Sequence, residues 1–307
     1  MPFTLNLSGT AQVDDSLITA YDQAFLVAYG QDNVMEQFVQ YRQEIGAKAI
    51  ELPRFTRLAL ATTPLDELED VTSSSLSDSK VVLTPQEYGN VVTTTKLANL
   101  QTGGKADLAA AQLVGLNWSQ TMDKLAILAL DQSTNVRVVG GKAEGSVAGT
   151  DVADRSFMNF MYNKLARANV PMIDGLYVAV LHDDVIHDLR EGAGAASWTD
   201  VSKYATPESV LRNEVGTYAG FRIIRNNHAT FADQAGAGTV DLYNGYFFGF
   251  NALGKATSSP GRLVASGPFD KLGRFVNLGW HEATQFKIIE QDAIWVGKCA
   301  SSVGANA

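Results

Sequence analysis

The spacing of apolar positions changes several times along the chain, and each change predicts a new element. Over 17–45 (LITAYDQAFLVAYGQDNVMEQFVQYRQEI), Phe25, Tyr29, Phe38 and Tyr41 fall at helical spacings, which predicts one or two amphipathic helices broken near Gly30. From Ala49 the period shortens to two. AIELPRF alternates apolar and polar residues, and Pro53, which has no N–H to give a ladder, marks it as an edge strand. KVVLT at 80–84 and YGNVVTTTKL at 88–97 are rich in β-branched residues and predict further strands. Residues 48–97 together predict an extended two-stranded arm. Such an arm cannot bury much surface within its own chain and needs something outside itself to lie on.

The longest helical pattern follows. Asp107 is a suitable N-cap, and the run to about Gln132 contains no proline and one glycine, Gly115. Val114, Trp118, Met122, Leu125 and Ala129 share one face of a helix that would be ~38 Å long. NVRVVGGKAEGSVAGTD (135–151) is glycine-rich and reads as a flexible connection. The second half then alternates in an α/β manner. A helix over 151–170 is expected to be capped by Asp151 and closed by Pro171. GLYVAVLH (175–182) predicts a buried strand, DDVIHDLR a short helix, TPESVLRN (206–213) another, and GFRIIR (220–225) a strand. The end, GRFVNLGWHEATQFKIIEQDAIWVGKCASS, alternates as strands do.

Composition narrows the function classes. With 307 residues, 46% of them hydrophobic and 19% charged, the chain has a globular composition. A net charge of −9 argues against a nucleic-acid reader held on by a basic face. It leaves open a protein that encloses nucleic acid, since an acidic wall keeps a polyanion from sticking. Cys299 is the single cysteine, which suits a reducing compartment. MPFTLNLSGT lacks a basic segment followed by an apolar one, so no secretory leader is expected. LAILAL (125–130) is far short of a membrane span. Between the arm strands, PLDELEDVTSSSLSDS (64–79) carries five acidic residues and no basic ones. By composition it is a solvated loop tip, yet at sixteen residues it is long for a hairpin connection.

Two stretches invite chemistry. HDDVIHDLR (182–190) offers His182, Asp184 and His187 as metal ligands, but the histidines are five apart and no Cys or further His lies nearby in sequence. The alternative is an acidic first turn, with Asp183 and Asp184 complementing the helix dipole and Val185, Ile186 and Leu189 packing inward. GFNALGKA (249–256) matches a phosphate loop through Lys255, but Ala256 stands where a Ser or Thr must hold magnesium, and TSSPG, not a helix, follows. A turn is expected there. His182, His187, His228 and His281 have no motif partners for a triad, so no enzyme and no cofactor is expected.

Five segments, in order, resemble the major capsid proteins of tailed bacteriophages with the Hong Kong 97-type fold, in particular the family typified by the coat protein of coliphage N-four. They are LTPQEYGNVVTTTKLANL (83–100), AAQLVGLNWSQTMDKLAILALDQSTNVRVVGG (110–141), GLYVAVLHDDVIHDLREG (175–192), RNEVGTYAGFRIIRNN (212–227) and LGRFVNLGWHEATQFKII (272–289). Asp183 departs from the pattern, standing where members usually have proline, and no long leader of the kind some relatives carry is expected.

The resemblance implies an α+β fold with four parts. These are an N-terminal arm and helices over 1–47, an extended hairpin arm over 48–97, a peripheral domain from 98–133 and 267–307, and an axial α/β domain over 134–266. It implies a shell protein whose arm lies across a neighbouring copy, with Ile50, Leu52, Val81 and Leu83 on the arm strands and Asp66, Glu67, Glu69 and Asp70 at its acidic tip. The expected partners are copies of itself in pentamers and hexamers, with portal, scaffold or decoration proteins. DNA would be enclosed without sequence-specific binding, no membrane would be involved, and assembly would occur in a bacterial host cytoplasm. Some relatives of the fold join neighbours by a lysine–asparagine isopeptide bond. Lys48, Lys80 and Lys96 flank or lie on the arm, but no motif assigns them that role, and ordinary surface lysines are expected. The rival functions are an encapsulin-type compartment holding cargo enzymes and, more remotely, a metal-dependent enzyme.

Overall fold

A computed structural model describes residues 24–28, 33–55, 78–103, 105–192, 214–266 and 272–303, with isolated positions at 58, 60–62, 64, 65, 70, 73, 75 and 270. The expected helix at 206–213 lies outside the described residues, as does most of 17–32.

One long helix and two sheets organise the chain. After a short helix α1 (Lys96–Gln101), helix α2 runs over Lys105–Leu130. Val114, Trp118, Met122 and Ala129 are buried along it and Leu125 is partly buried against the same core, as the spacing predicts. Its start differs from the expectation. The N–H of Ala106 is taken by Thr102 Oγ1 at 3.2 Å, and Asp107 sits inside the first turn. There its carboxylate accepts from Thr94 Oγ1 at 2.7 Å and Asn99 Nδ2 at 2.6 Å, so it ties the helix to the preceding segment instead of capping it.

Helix α2 packs on a four-stranded sheet formed by β1 (Gln40–Gln43), β4 (Gln86–Thr95), β11 (Leu253–Ser266) and β12 (Phe275–Ile288), in the order β1-β11-β12-β4. The two tryptophans Trp118 and Trp280 meet at 6.2 Å, and Asn117 Oδ1 accepts from both Trp280 Nε1 (3.0 Å) and Asn90 Nδ2 (3.1 Å). Three findings here differ from the periodicity. The stretch after Gly30 contains a 3-10 helix, Met35–Phe38, and then strand β1, because the sheet edge offers β11 as a parallel partner. Strand β4 belongs to this sheet and not to the arm, pairing with β12 from Thr95↔Phe275 to Gln86↔Thr284. Finally, the segment from Leu253 onward is a fourteen-residue strand with register shifts around Ser259 that accommodate Pro260 and Gly261. Gly261 is required there, since a Cβ would stand 2.0 Å from the Trp118 ring.

The second sheet has seven strands: β5 (Val136–Val138), β13 (Ile294–Cys299), β10 (Leu242–Phe248), β6 (Tyr177–Leu181), β8 (Phe221–Arg225) and β7 (Glu214–Tyr218) in that order, with β9 (Phe231–Ala232) on β10. Every side chain of β6 is buried, as expected of a strand covered on both faces. Tyr177, Phe221, Phe247 and Phe157 stack edge-on or tilted across it at 5.3–6.1 Å. The helix expected over 151–170 runs from Arg155 to Arg167 (α3) and is capped by Asp154, whose carboxylate accepts from Phe157 N at 2.7 Å. Asp151 instead accepts from Ala148 N and pairs with Lys142 at 2.6 Å, which holds its carboxyl below the usual range. The expected flexible connection at 135–151 is ordered: β5 pairs with β13, and Val139 and Val147 enter the core. Strand β13 lies in this sheet and β11 in the other, so the two sheets exchange strands across the boundary expected at 266/267.

Candidate intersubunit surface

A two-stranded hairpin stands apart from both sheets. Its strands, β2 (Ile50–Phe55) and β3 (Asp78–Leu83), pair antiparallel from Ile50↔Leu83 to Phe55↔Asp78. Two-residue alternation places Ile50, Leu52, Val81 and Leu83 on one face, where Ile50 lies opposite Leu83 and Leu52 opposite Val81. The sequence brings the right residues together, but their partner at this end is their own chain. Ile50, Leu52 and Leu83 are 0%, 2% and 0% exposed in a small cluster with Ala256 and Ile289, with Val81 packed against it. Gly254 makes this seat possible, because a Cβ would meet Leu52 Cδ1 at 2.6 Å. Polar contacts reinforce it: Lys287 Nζ donates to Val82 O at 3.1 Å and Arg54 reaches Glu290 at 3.5 Å. The expectation that the whole arm lacks an internal partner is therefore corrected for its base.

Farther out the surface changes character. Leu58, Leu60 and Leu65 are 59%, 88% and 75% exposed. Of the acidic tip, Asp70 is exposed, while Asp66, Glu67 and Glu69 lie outside the described residues. The opposite face of the hairpin shows Glu51, Lys80 and Val82, with Lys80 and Glu51 paired at 2.6 Å. Both side chains of that pair are more than half exposed, so it contributes little.

A second accessible surface is the face of the four-stranded sheet turned away from α2. Gly89 and Gly279 leave a groove of about 280 Å³ bordered by Val91, Val264, Asn277 and His281. Apolar side chains are also exposed on the helices, at Leu97 and Leu100 of α1 and Leu113 of α2.

The stretches that invited chemistry are placed as follows. HDDVIHDLR is a helix start. Helix α4 spans Asp183–Glu191, His182 is its N-cap with Nδ1 accepting from Asp184 N at 3.2 Å, and Val185, Ile186 and Leu189 are buried. His187 is half exposed, and buried Asp188 accepts from Ser302 N at 3.0 Å and from Ser302 Oγ, fastening the chain's last described turn. His182 lies 5.2 Å from the Tyr243 ring, whose hydroxyl is pushed up by burial and then by Asp184. Cys299 is buried in β13, and desolvation with nearby Asp188 pushes its thiol up to about 12. The GFNALGKA segment turns at Phe250–Asn251 and continues into β11.

Sequence reasoning missed the role of Lys255. It is 5% exposed, and its ammonium is shared between Glu36 and Glu282, the latter at 2.8 Å. Glu282 also accepts from Trp118 Nε1 at 2.7 Å. Burial lowers the Lys255 pKa and the two carboxylates more than restore it, so the net shift is upward. A lysine at an inward position of an alternating strand was the available signal.

No protein-family model matches the chain, and no curated protein sequence matches it. Solved structures do. The capsid of Ralstonia phage GP4 superposes with a TM-score of 0.74 at 14% identity, covering 88% of each chain. The cyanophage Pam1 capsid gives 0.67 at 13% identity over 89% of this chain and 93% of that one. A virus-like particle from Pyrococcus furiosus gives 0.58 at 12% identity over 91% and 98%. The chain has the α+β fold that such phage capsid proteins share, the Hong Kong 97-type fold.

Proposed function

We propose that this chain is the major capsid protein of a tailed bacteriophage, many copies of which close an icosahedral shell around double-stranded DNA. The observation that carries the reading is the hairpin arm. Its base is seated on its own subunit through Ile50, Leu52 and Leu83, while Leu58, Leu60 and Leu65 face solvent in a single copy. Three large apolar side chains exposed within eight positions of one segment suit a surface that another chain covers. A neighbouring copy is that chain, and the acidic tip, Asp66, Glu67, Glu69 and Asp70, lies on it. Because each copy touches several others, modest interfaces sum to a stable shell.

In this reading the long helix and the four-stranded sheet form the peripheral part, and the seven-stranded sheet forms the axial part that meets its copies in pentamers and hexamers. The function is geometric, with no enzyme chemistry and no cofactor. A net charge of −9 supports enclosing DNA without sequence readout. The segment order supports kinship with the coat protein of coliphage N-four. Portal, scaffold and decoration proteins are further partners, and assembly takes place in the host cytoplasm, where a buried, unpaired Cys299 is at ease.

A second reading is a protein compartment for cargo enzymes; the likeness to a virus-like particle from Pyrococcus furiosus supports a closed shell under either reading. Particles made in the native host and freed of outside nucleic acid by nuclease separate the two. The capsid reading expects nuclease-protected double-stranded DNA inside. A stoichiometric enzyme and no DNA would reverse the ranking.

A further inference from the structure

We propose that residues 33–43 form a releasable strap, closed by the Asp123 carboxylate and the Glu36–Lys255 contact, that opens as one unit, taking the edge strand β1 with it, while β11, β12 and β4 and the seven-stranded sheet stay folded. The strap comprises the 3-10 helix Met35–Phe38 and strand β1. All four side chains of β1 are exposed, so the strand is held by backbone pairing to the Gly254–Thr257 edge of β11, extended by Glu44 N to Thr257 O at 3.1 Å. Its apolar anchorage is Met35 and Val34, both buried, with Val39 and Phe38 partly buried against the same core, Phe38 edge-on to Phe248 at 6.2 Å.

The closure is otherwise polar and reaches the core of α2. Asp123, buried in the middle of that helix, accepts from Val34 N at 3.2 Å, Met35 N at 3.0 Å and Asn226 Nδ2 at 3.2 Å. Glu36 meets Lys255 one strand away.

The charge arrangement favours opening over rigidity. A buried ion pair is costly to break when one partner is left uncompensated. Here the partner that departs is Glu36, which carries its charge into water, while Lys255 keeps Glu282 at 2.8 Å and Glu282 keeps Trp118. The site left behind is a neutral, hydrogen-bonded pair. Asp123 keeps Asn226 and exchanges two backbone donors for water. Opening withdraws Val34, Met35, Phe38 and Val39 from the core and unpairs one edge strand, while the β11-β12-β4 ladders and the seven-stranded sheet keep their own pairing. Segments held this way open locally with less free energy than global unfolding requires.

Hydrogen exchange read by mass spectrometry on the whole chain, at neutral pH, tests this with strand Tyr177–Leu181 as the internal reference. In Glu36→Ala, amides at 40–43 should exchange on the order of tenfold faster, the reference being unchanged. Asp123→Asn removes the charge and sets an amide donor against either Asn226 Nδ2 or the Val34 and Met35 amides, and should give up to about a hundredfold. Equal acceleration of 40–43 and the reference would overturn the proposal, as would no change at 40–43 in either variant. Should Asp123→Asn fail to fold, Glu36→Ala decides alone, since Lys255 retains Glu282.

Discussion

The seven-stranded sheet and the hairpin arm are written in similar apolar, β-branched residues, yet they reach opposite states. Strand β6 buries every side chain between neighbours of its own chain. The arm buries only its first residues, Ile50, Leu52 and Leu83, and then presents Leu58, Leu60 and Leu65 to solvent. The difference is a matter of partners. Strand β6 is hydrogen-bonded to β10 and β8 on either side and Tyr162 of α3 packs on its Tyr177, whereas β2 and β3 hydrogen-bond only to each other. Stability resides where the chain closes on itself, and the surface it leaves open is the one proposed for association.

Substitutions that separate the two should act unequally on the folded subunit. The largest loss is expected from Phe247→Ala, which empties the aromatic layer of the seven-stranded sheet and should cost about 4 kcal/mol in denaturant unfolding. The buried thiol of Cys299 reports the same region: a thiol reagent at pH 8 should modify it only as fast as the sheet opens, because its pKa is pushed up to about 12. Fast labelling of the folded chain would contradict the packing of β13. Leu52→Ala empties the smaller cluster under the arm and should cost about 2 kcal/mol.

Lys142→Ala comes next, at a few tenths of a kcal/mol. Its sign follows from Asp151, whose pKa is lowered in the fold. The Lys142–Asp151 contribution is present above the ordinary aspartate range near ~4 and is lost as pH falls below it. Wild type and variant should therefore converge in stability in acid. The least effect on folding is expected from the double change Leu58→Ser and Leu60→Ser, within about 0.5 kcal/mol of wild type. That variant should nevertheless fail to assemble, as read by sedimentation velocity. Normal particles from it would detach the arm from the account.

How much was legible in the sequence follows the same division. Elements that satisfy themselves locally announced themselves: GLYVAVLH is β6, and the Val114–Trp118–Met122 spacing is the buried face of α2. Elements defined by a distant partner did not. The QYRQ of β1 has no apolar alternation, because a neighbour's backbone alone makes it a strand. GFNALGKA is expected to be a turn with no helix after it, yet from Leu253 the chain runs on through TSSPG as β11, because β12 supplies a long partner and Gly261 admits Trp118. Capping was misassigned twice for a related reason. Asp107 and Asp151 had acceptors to offer, but Thr94, Asn99 and Lys142 claimed them through tertiary contacts. The arm's four apolar positions share one face of the hairpin as the alternation predicts, but their seat on Ala256 and Ile289 depends on Gly254, some two hundred residues away in sequence.

The most direct test of the central claim is electron cryomicroscopy of the chain produced together with the genes that flank it. The account predicts closed icosahedral particles in which the arm of each copy lies on a neighbour, with Leu58, Leu60 and Leu65 covered. A chain that stays monodisperse and monomeric under those conditions, with its arm in solvent, would contradict it.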